Sequence, residues 1–246
     1  MKNQRAESKE PDDLITRALK LGHLTPSETE ELIETLGPVH TYLPSMESEI
    51  RSSPARALNV AVFGAASPNI SKKKLKQAHH VGELIASWDH RLIFGAGMTG
   101  IMGAVARGYA SKNPSLKAFG STTSTLKDIE DVDHTINLIE RPDMAGRKEL
   151  YQLADIVLVM PGGFGTCDEL FEFLTYKQLS EMARKSGFPN IRLWDGKLLL
   201  WKGGASSAIV ALWDAMYKQK MAPDWREYVT LVDSKDLYFI LSEGQW

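Results

Sequence analysis

From residue 58 onward, short runs of apolar, often β-branched residues alternate with longer stretches whose apolar positions recur every three or four residues. The first pattern is that of strands buried on both faces, the second that of helices with one buried side. Leu58-Asn59-Val60-Ala61-Val62-Phe63 predicts a strand and 72–88 a helix. Leu92-Ile93-Phe94 predicts a second strand, followed by a helix to about 109, two more strands at 116–119 and 135–139, and a helix from Pro142-Asp143 to about 155. Ile156-Val157-Leu158-Val159-Met160 predicts the central strand, with a helix running on from Leu170. Beyond it lie a strand around 191–194, a helix near 205–217, a strand near 228–232 and a last helix near 235–241. Strands alternating with helices specify the α/β class, with a doubly wound parallel sheet and helices on both faces. In such sheets ligands bind beyond the carboxyl ends of the strands.

Residues 1–56 follow a different pattern. Positions 12–21 carry apolar residues at helical spacing, and Thr25-Pro26-Ser27-Glu28 supplies a cap, a proline at the first helical position and a glutamate three residues after the threonine. Gly37 closes that second helix and 38–54 reads as a connector. Two parts are therefore expected: a short N-terminal helical extension with its connector over 1–56, and the main α/β domain over 57–246.

Composition narrows the class. A formal net charge of −2 over 246 residues gives no reason to expect a nucleic-acid or membrane partner. The basic run Lys72-Lys73-Lys74-Leu75-Lys76 falls at a helix start and reads as a solvated face. One cysteine, Cys167, excludes an internal disulfide framework and fits a reducing compartment. No apolar run approaches the roughly 20 residues that span a bilayer, and the N-terminus lacks the apolar core of a secretory signal, so a cytoplasmic protein is expected.

Candidate chemistry concentrates where the central strand ends. Pro161-Gly162-Gly163-Phe164-Gly165-Thr166-Cys167-Asp168-Glu169 packs three glycines into four positions between a buried strand and a helix. A strand that turns tightly into a helix leaves the first helical amides unpaired. Glycines let a ligand approach those amides, and the helix dipole favours an anion there. The stretch reads as a phosphate cradle with a carboxylate, Glu169, one turn inside it. Thr166-x-x-Glu169 is also the spelling of a capping box, which accounts for those two residues but not for the three glycines. A carboxylate in a first helical turn is expected to stay ionised, suited to base or electrostatic work rather than to proton donation.

Two other segments bear on the site. Gly95-Ala96-Gly97-Met98-Thr99-Gly100 spells the dinucleotide fingerprint, but the position about 20 residues on that should be acidic falls near Gly120, and the next acidic residue is Asp128. A tight-turn role for these glycines fits better than nicotinamide binding. In the helix after Pro142, Met144, Arg147, Leu150, Tyr151 and Ala154 share one stripe that should face the sheet, so Arg147 needs an anionic partner, while Lys148 points to solvent. Cys167, near a helix start, is a candidate reactive thiol with no histidine beside it in sequence. The adjacent pair His79-His80 cannot share one helix face, and no metal-ligand spacing is present.

Arg147-Lys148 followed by Pro161-Gly162-Gly163-Phe164-Gly165-Thr166-Cys167-Asp168-Glu169 resembles the paired signature of the cytokinin riboside 5′-monophosphate phosphoribohydrolases, the "lonely guy" family formerly labelled lysine decarboxylases. The resemblance covers about 58–179 well and the remainder loosely. It implies a Rossmann-like fold, a homodimer or larger homo-oligomer, and hydrolysis of nucleoside 5′-monophosphates, of AMP or cytokinin riboside type, to free base and ribose 5-phosphate; the residues themselves point to no cofactor and no metal. It implies Arg147 and Glu169 as the catalytic pair and Gly163, Gly165 and Thr166 as the phosphate site. The same cleft is expected to draw on Ser67 of the first turn, on Gly97, Thr99 and Gly100 of the second, and on Met144, Lys148 and Gly162. The chain departs from the family where Ala145 replaces the histidine before Arg-Lys, at Gly64-Ala65-Ala66-Ser67, and at Ala96 within the second turn. These departures bear on the base. A non-hydrolytic nucleotide or molybdenum-cofactor carrier on the same fold is the alternative.

Overall fold

The structure is a computed structural model that describes residues 57–115, 118–129, 136–187 and 193–243. The expected helical extension over 1–56 lies outside the described residues. Seven strands are β1 (Asn59–Phe63), β2 (Arg91–Phe94), β3 (Phe119–Thr123), β4 (Asn137–Arg141), β5 (Ile156–Val159), β6 (Lys197–Trp201) and β7 (Val229–Val232). Seven helices join them: α1 (Lys72–Ser87), α2 (Gly100–Lys112), α3 (Ser124–Ile129), α4 (Met144–Glu149), α5 (Phe164–Lys185), α6 (Ala205–Lys218) and α7 (Ser234–Glu243).

The strands form one sheet in the order β4-β3-β2-β1-β5-β6-β7, and every neighbouring pair is parallel. This is a Rossmann-like doubly wound sheet. Strands β1, β2, β5 and β6 carry near-continuous apolar runs because both faces are covered there. Val60 and Val62 join a core with Ile85, Ile101 and Val105 of α1 and α2 and with Leu237 of α7. Phe63 turns to the other face, where its ring meets Tyr151 edge-on at 4.9 Å and Phe173 of α5 at 5.8 Å.

Two strands were expected in the wrong place: the one expected at 116–119 is β3, from Phe119 to Thr123, and the one expected at 191–194 is β6. Leu193 and Trp194 are not in a strand; β6 begins at Lys197, where Leu198-Leu199-Leu200 is the buried run, and 191–192 lie outside the described residues. Trp194 instead packs edge-on against Phe173 at 4.7 Å and donates its indole N–H to the Ala154 carbonyl at 2.8 Å. The helix expected to reach about 155 is α4 followed by a 3₁₀ turn over Leu150–Leu153. No described helix is long and apolar enough to cross a membrane.

The chain runs outward from β1 through β2, β3 and β4, then returns to lay β5 on the opposite side of β1. Connections leaving β1 and β5 therefore diverge, and a crevice opens at their carboxyl ends. The β1–β5 pairing continues past the strands, with Met160 N–H donating to Phe63 O at 2.8 Å and Ala65 N–H to Pro161 O at 3.2 Å.

Candidate active site

The crevice holds a cavity of about 260 Å³ between the turn after β1 and the start of α5. Ser67, Arg147, Gly163, Gly165, Thr166 and Glu169 all line it. Helix α5 starts at Phe164 with Gly163 as its N-cap, which has no side chain to satisfy the first amides. The first helical bond is Cys167 N–H to Gly163 O, 3.0 Å. The amides of Phe164, Gly165 and Thr166 precede it and have no partner within the helix. A methyl added at Gly163 or Gly165 would meet nothing within 4 Å, so these two positions keep the cradle open.

This geometry overturns the capping-box spelling. Thr166 lies inside the helix, three residues after the cap, and Glu169 lies in the second turn rather than the first. Gly165, Thr166 and Glu169 are spaced by three and four, so they project from one side of α5, toward the cavity. Gly162 has a different part: a Cβ there would fall 2.1 Å from Thr166 Oγ1, so its bare backbone is what lets Thr166 pack beneath the turn.

Arg147 comes from α4, whose N-cap Asp143 accepts the Gly146 amide at 2.8 Å. Its guanidinium stands 3.9 Å from Glu169 Oε1, donates from Nε to the Ser121 carbonyl at 3.1 Å, and reaches toward the Gly95 carbonyl at 3.5 Å. Its stripe partners Leu150, Tyr151 and Ala154 are buried as expected. Met144 is not; at 48% exposure it stands off the packed side, because α4 is short and begins at the sheet's rim. Lys148 also differs from expectation. Rather than pointing to free solvent, its ammonium bridges Asp168 Oδ2 at 2.6 Å and Glu172 Oε2 at 2.9 Å, tying α4 to α5 on either side of Glu169.

Glu169 is raised from the ordinary carboxylate value to about 7. Burial is the main cause, since its side chain is only 12% exposed. Arg147 and Lys148 pull the other way, and Asp168 and Glu172 add to the rise. Burial prevails because Arg147 is 3.9 Å away, beyond a direct hydrogen bond, and so compensates the lost hydration incompletely. The expectation of a firmly ionised Glu169 is thereby corrected, for it sits past the turn where the dipole acts and is largely cut off from water.

The second turn supports rather than lines the cavity. Thr99 donates its hydroxyl to Ala66 O at 2.6 Å, and Ile101 N–H donates to Ala65 O at 2.7 Å. Gly100 holds a left-handed conformation (φ 61°) against the backbone of Ala65–Ser67, and Gly97 is buried beside it. Cys167 is half-buried. No group of three or more His, Cys, Asp or Glu placed to hold a metal occurs among the described residues. Nothing in the sequence points to a role at the site for Ser121 or Met102, and it marks Gly95 only as a turn glycine, not as a neighbour of Arg147.

Fold and cleft define a Rossmann-like α/β protein with its crevice at the β1–β5 switch. The family described as "Possible lysine decarboxylase" matches residues 102–204. The chain is similar to the cytokinin riboside 5′-monophosphate phosphoribohydrolases. It is 28% identical over 147 residues to the probable enzyme LOGL6 of Oryza sativa subsp. japonica, covering 59% of this chain and 58% of that one. The corresponding figures are 29%, 59% and 67% for LOG7 of Arabidopsis thaliana. For the Rhodococcoides fascians enzyme they are 32%, 49% and 62%. The matched part thus spans less than two thirds of the rice and Rhodococcoides relatives. Among solved structures, the molybdenum cofactor binding protein of Rippkaea orientalis superposes with a TM-score of 0.54 at 16% identity, over 76% of this chain and 97% of that one. The molybdenum cofactor carrier protein of Chlamydomonas reinhardtii does so with 0.51 at 14%, over 77% and 98%. These two likenesses establish the fold.

Proposed function

We propose that the crevice hydrolyses the N-glycosidic bond of nucleoside 5′-monophosphates, of AMP or cytokinin riboside type, releasing the free base and ribose 5-phosphate. The observation that carries this reading is the buried Arg147–Glu169 pair standing beside the unpaired amides of α5 in one cavity. The 5′-phosphate docks on the amides of Phe164, Gly165 and Thr166, where the helix dipole favours its charge. Its ribose then lies along the side of α5 that carries Glu169. Cleavage builds positive charge on the ribose ring, and a carboxylate there stabilises it, as in glycosidases. A carboxyl titrating near 7 is matched to general-base work at neutral pH. The oxygen of an attacking water bonds to C1′ as the C1′–N bond breaks. The water's proton passes to Glu169, and the electron pair of the broken bond stays on the base nitrogen, which takes its proton from solvent. Arg147 orients Glu169 and binds a ribose or phosphate oxygen. The named phosphoribohydrolase relatives support an enzyme of this kind.

Incubation with AMP, GMP, CMP, UMP and an isopentenyl AMP, followed by assay for free base, tests it. Glu169→Gln should lower turnover by about 10²–10⁴-fold while nucleotide still binds. Nucleotide binding with no base released from any substrate would overturn hydrolysis in favour of a non-hydrolytic binder. A chromophore on the purified protein would favour a cofactor carrier instead.

A further inference from the structure

Ser121 holds Arg147 at both ends. It sits within β3, fully buried, and its hydroxyl donates to the Arg147 carbonyl at 2.8 Å while its own carbonyl accepts from Arg147 Nε at 3.1 Å. The first bond fixes the backbone of α4 at the arginine itself, and the second fixes the far end of the same side chain. On the neighbouring strand, at the end of β2, Gly95 leaves room for the guanidinium: a Cβ there would fall 2.4 Å from Nη2. We propose that Ser121 is a positioning residue that, with Gly95 beside it on β2, forms a socket setting the Arg147 guanidinium against Glu169.

The need for such a socket follows from the spacing. Arg147 and Glu169 are 3.9 Å apart, so they do not hold one another by a direct hydrogen bond. Helix α4 is only six residues long and gives little rigidity of its own. Placement of the cation therefore depends on β3 and on the end of β2. The side chain keeps few alternatives, because its Nε bond is planar and directional. The socket rests on the reading of Arg147 and Glu169 as the working pair.

Its test separates the two ideas. Ser121→Ala deletes only the hydroxyl bond, and Ser121→Cys keeps the volume with a weaker donor. In Ser121→Ala, turnover of AMP should fall about tenfold with KM changed less than about twofold, as expected for a catalytic group displaced by a fraction of an ångström. Ser121→Cys should fall between the two. Carboxyl titration of Glu169 by carbon NMR should move upward by about half a pH unit or more in Ser121→Ala, since the guanidinium no longer faces it squarely. The other charges facing Glu169, which are Lys148 on α4 and Asp168 and Glu172 on α5, stay in place. A folded Ser121→Ala protein with unchanged Glu169 titration would overturn the socket. If the wild-type protein cleaves no nucleotide, the titration still decides: a shift upholds the socket while the hydrolytic reading fails. Should Ser121→Ala not fold, Ser121→Cys makes the same test with the volume kept, and a smaller shift in the same direction is expected.

Discussion

Glu169 carries two opposed influences, and their balance is visible in solution. Its folded-state value lies near 7 against an ordinary 4.5, so the folded protein binds its proton more tightly than the unfolded chain does. A raised value contributes stability that is fully present below about 4.5 and lost as pH rises through about 7. At about 1.4 kcal/mol per unit, the whole effect is roughly 3 kcal/mol. Denaturation at pH 5 and pH 8.5 should therefore show wild type losing more stability than Glu169→Gln over that interval, by up to that amount. Equal losses would show the carboxyl to be ordinary. Arg147 was legible in sequence as a cation on a buried stripe, and Glu169 as a carboxylate after a glycine turn. The direction of the Glu169 shift was not legible, since it depends on burial from several elements at once. Ser121 escaped notice for the same reason: its meaning lies in bonds to a residue 26 positions away.

At the scale of elements, the turn from β5 into α5 assigns different work to glycines that look alike in sequence. Gly162→Ala would place a methyl 2.1 Å from Thr166 Oγ1 and should cost about 1–3 kcal/mol, the usual penalty of overpacking. Gly165 lies within the helix with open space above it, so Gly165→Ala should raise stability by roughly 0.5–1 kcal/mol through propensity. The same methyl enters the cleft, and affinity for AMP should fall although the protein melts higher. Calorimetric melting together with titration of AMP separates the two glycines, and a Gly165→Ala protein that binds AMP as well as wild type would remove these amides from the phosphate site. The helix start was misplaced in sequence because the cap is Gly163, which carries no polar side chain, while Thr166 and Glu169 spell a cap they do not form. Strand β6 was misplaced because Leu193 and Trp194 look like strand residues, yet Leu193 is exposed and Trp194 packs against Phe173. Elements with long uninterrupted patterns, such as α1, α6 and β5, were legible because local periodicity alone specifies them.

Over the whole molecule, the two ends of the sheet divide the labour. The carboxyl ends of β1 and β5 carry the cleft, and at the opposite end the last turn of α7 closes against the starts of β1 and β2. His90 fastens that closure. Its Nδ1 accepts the Leu58 amide at 3.2 Å, which leaves Nε2 to donate to the Leu241 carbonyl of α7 at 2.9 Å. Tyr109 donates to the His90 backbone carbonyl at 3.0 Å, so the residue is held through both its ring and its main chain. With one nitrogen accepting, the ring must be neutral. Burial lowers its value below 6.5, against smaller opposing effects from the Leu241 bond, Asp89 and Asp155. A depressed value contributes stability present above about 6.5 and lost as pH falls through the lower folded value, the reverse of the Glu169 case. Protonation adds a hydrogen to Nδ1 and breaks the bond to Leu58, so acid should loosen α7 and the start of β1 while the cleft is left unchanged. Amide exchange between pH 7.5 and pH 4.5 should show protection lost at Leu58 and along Ser234–Glu243 before it is lost in β5. His90→Gln, which keeps a donor and an acceptor but cannot charge, should abolish that acid-linked loss. Equal acid sensitivity of α7 in the variant would place the linkage elsewhere.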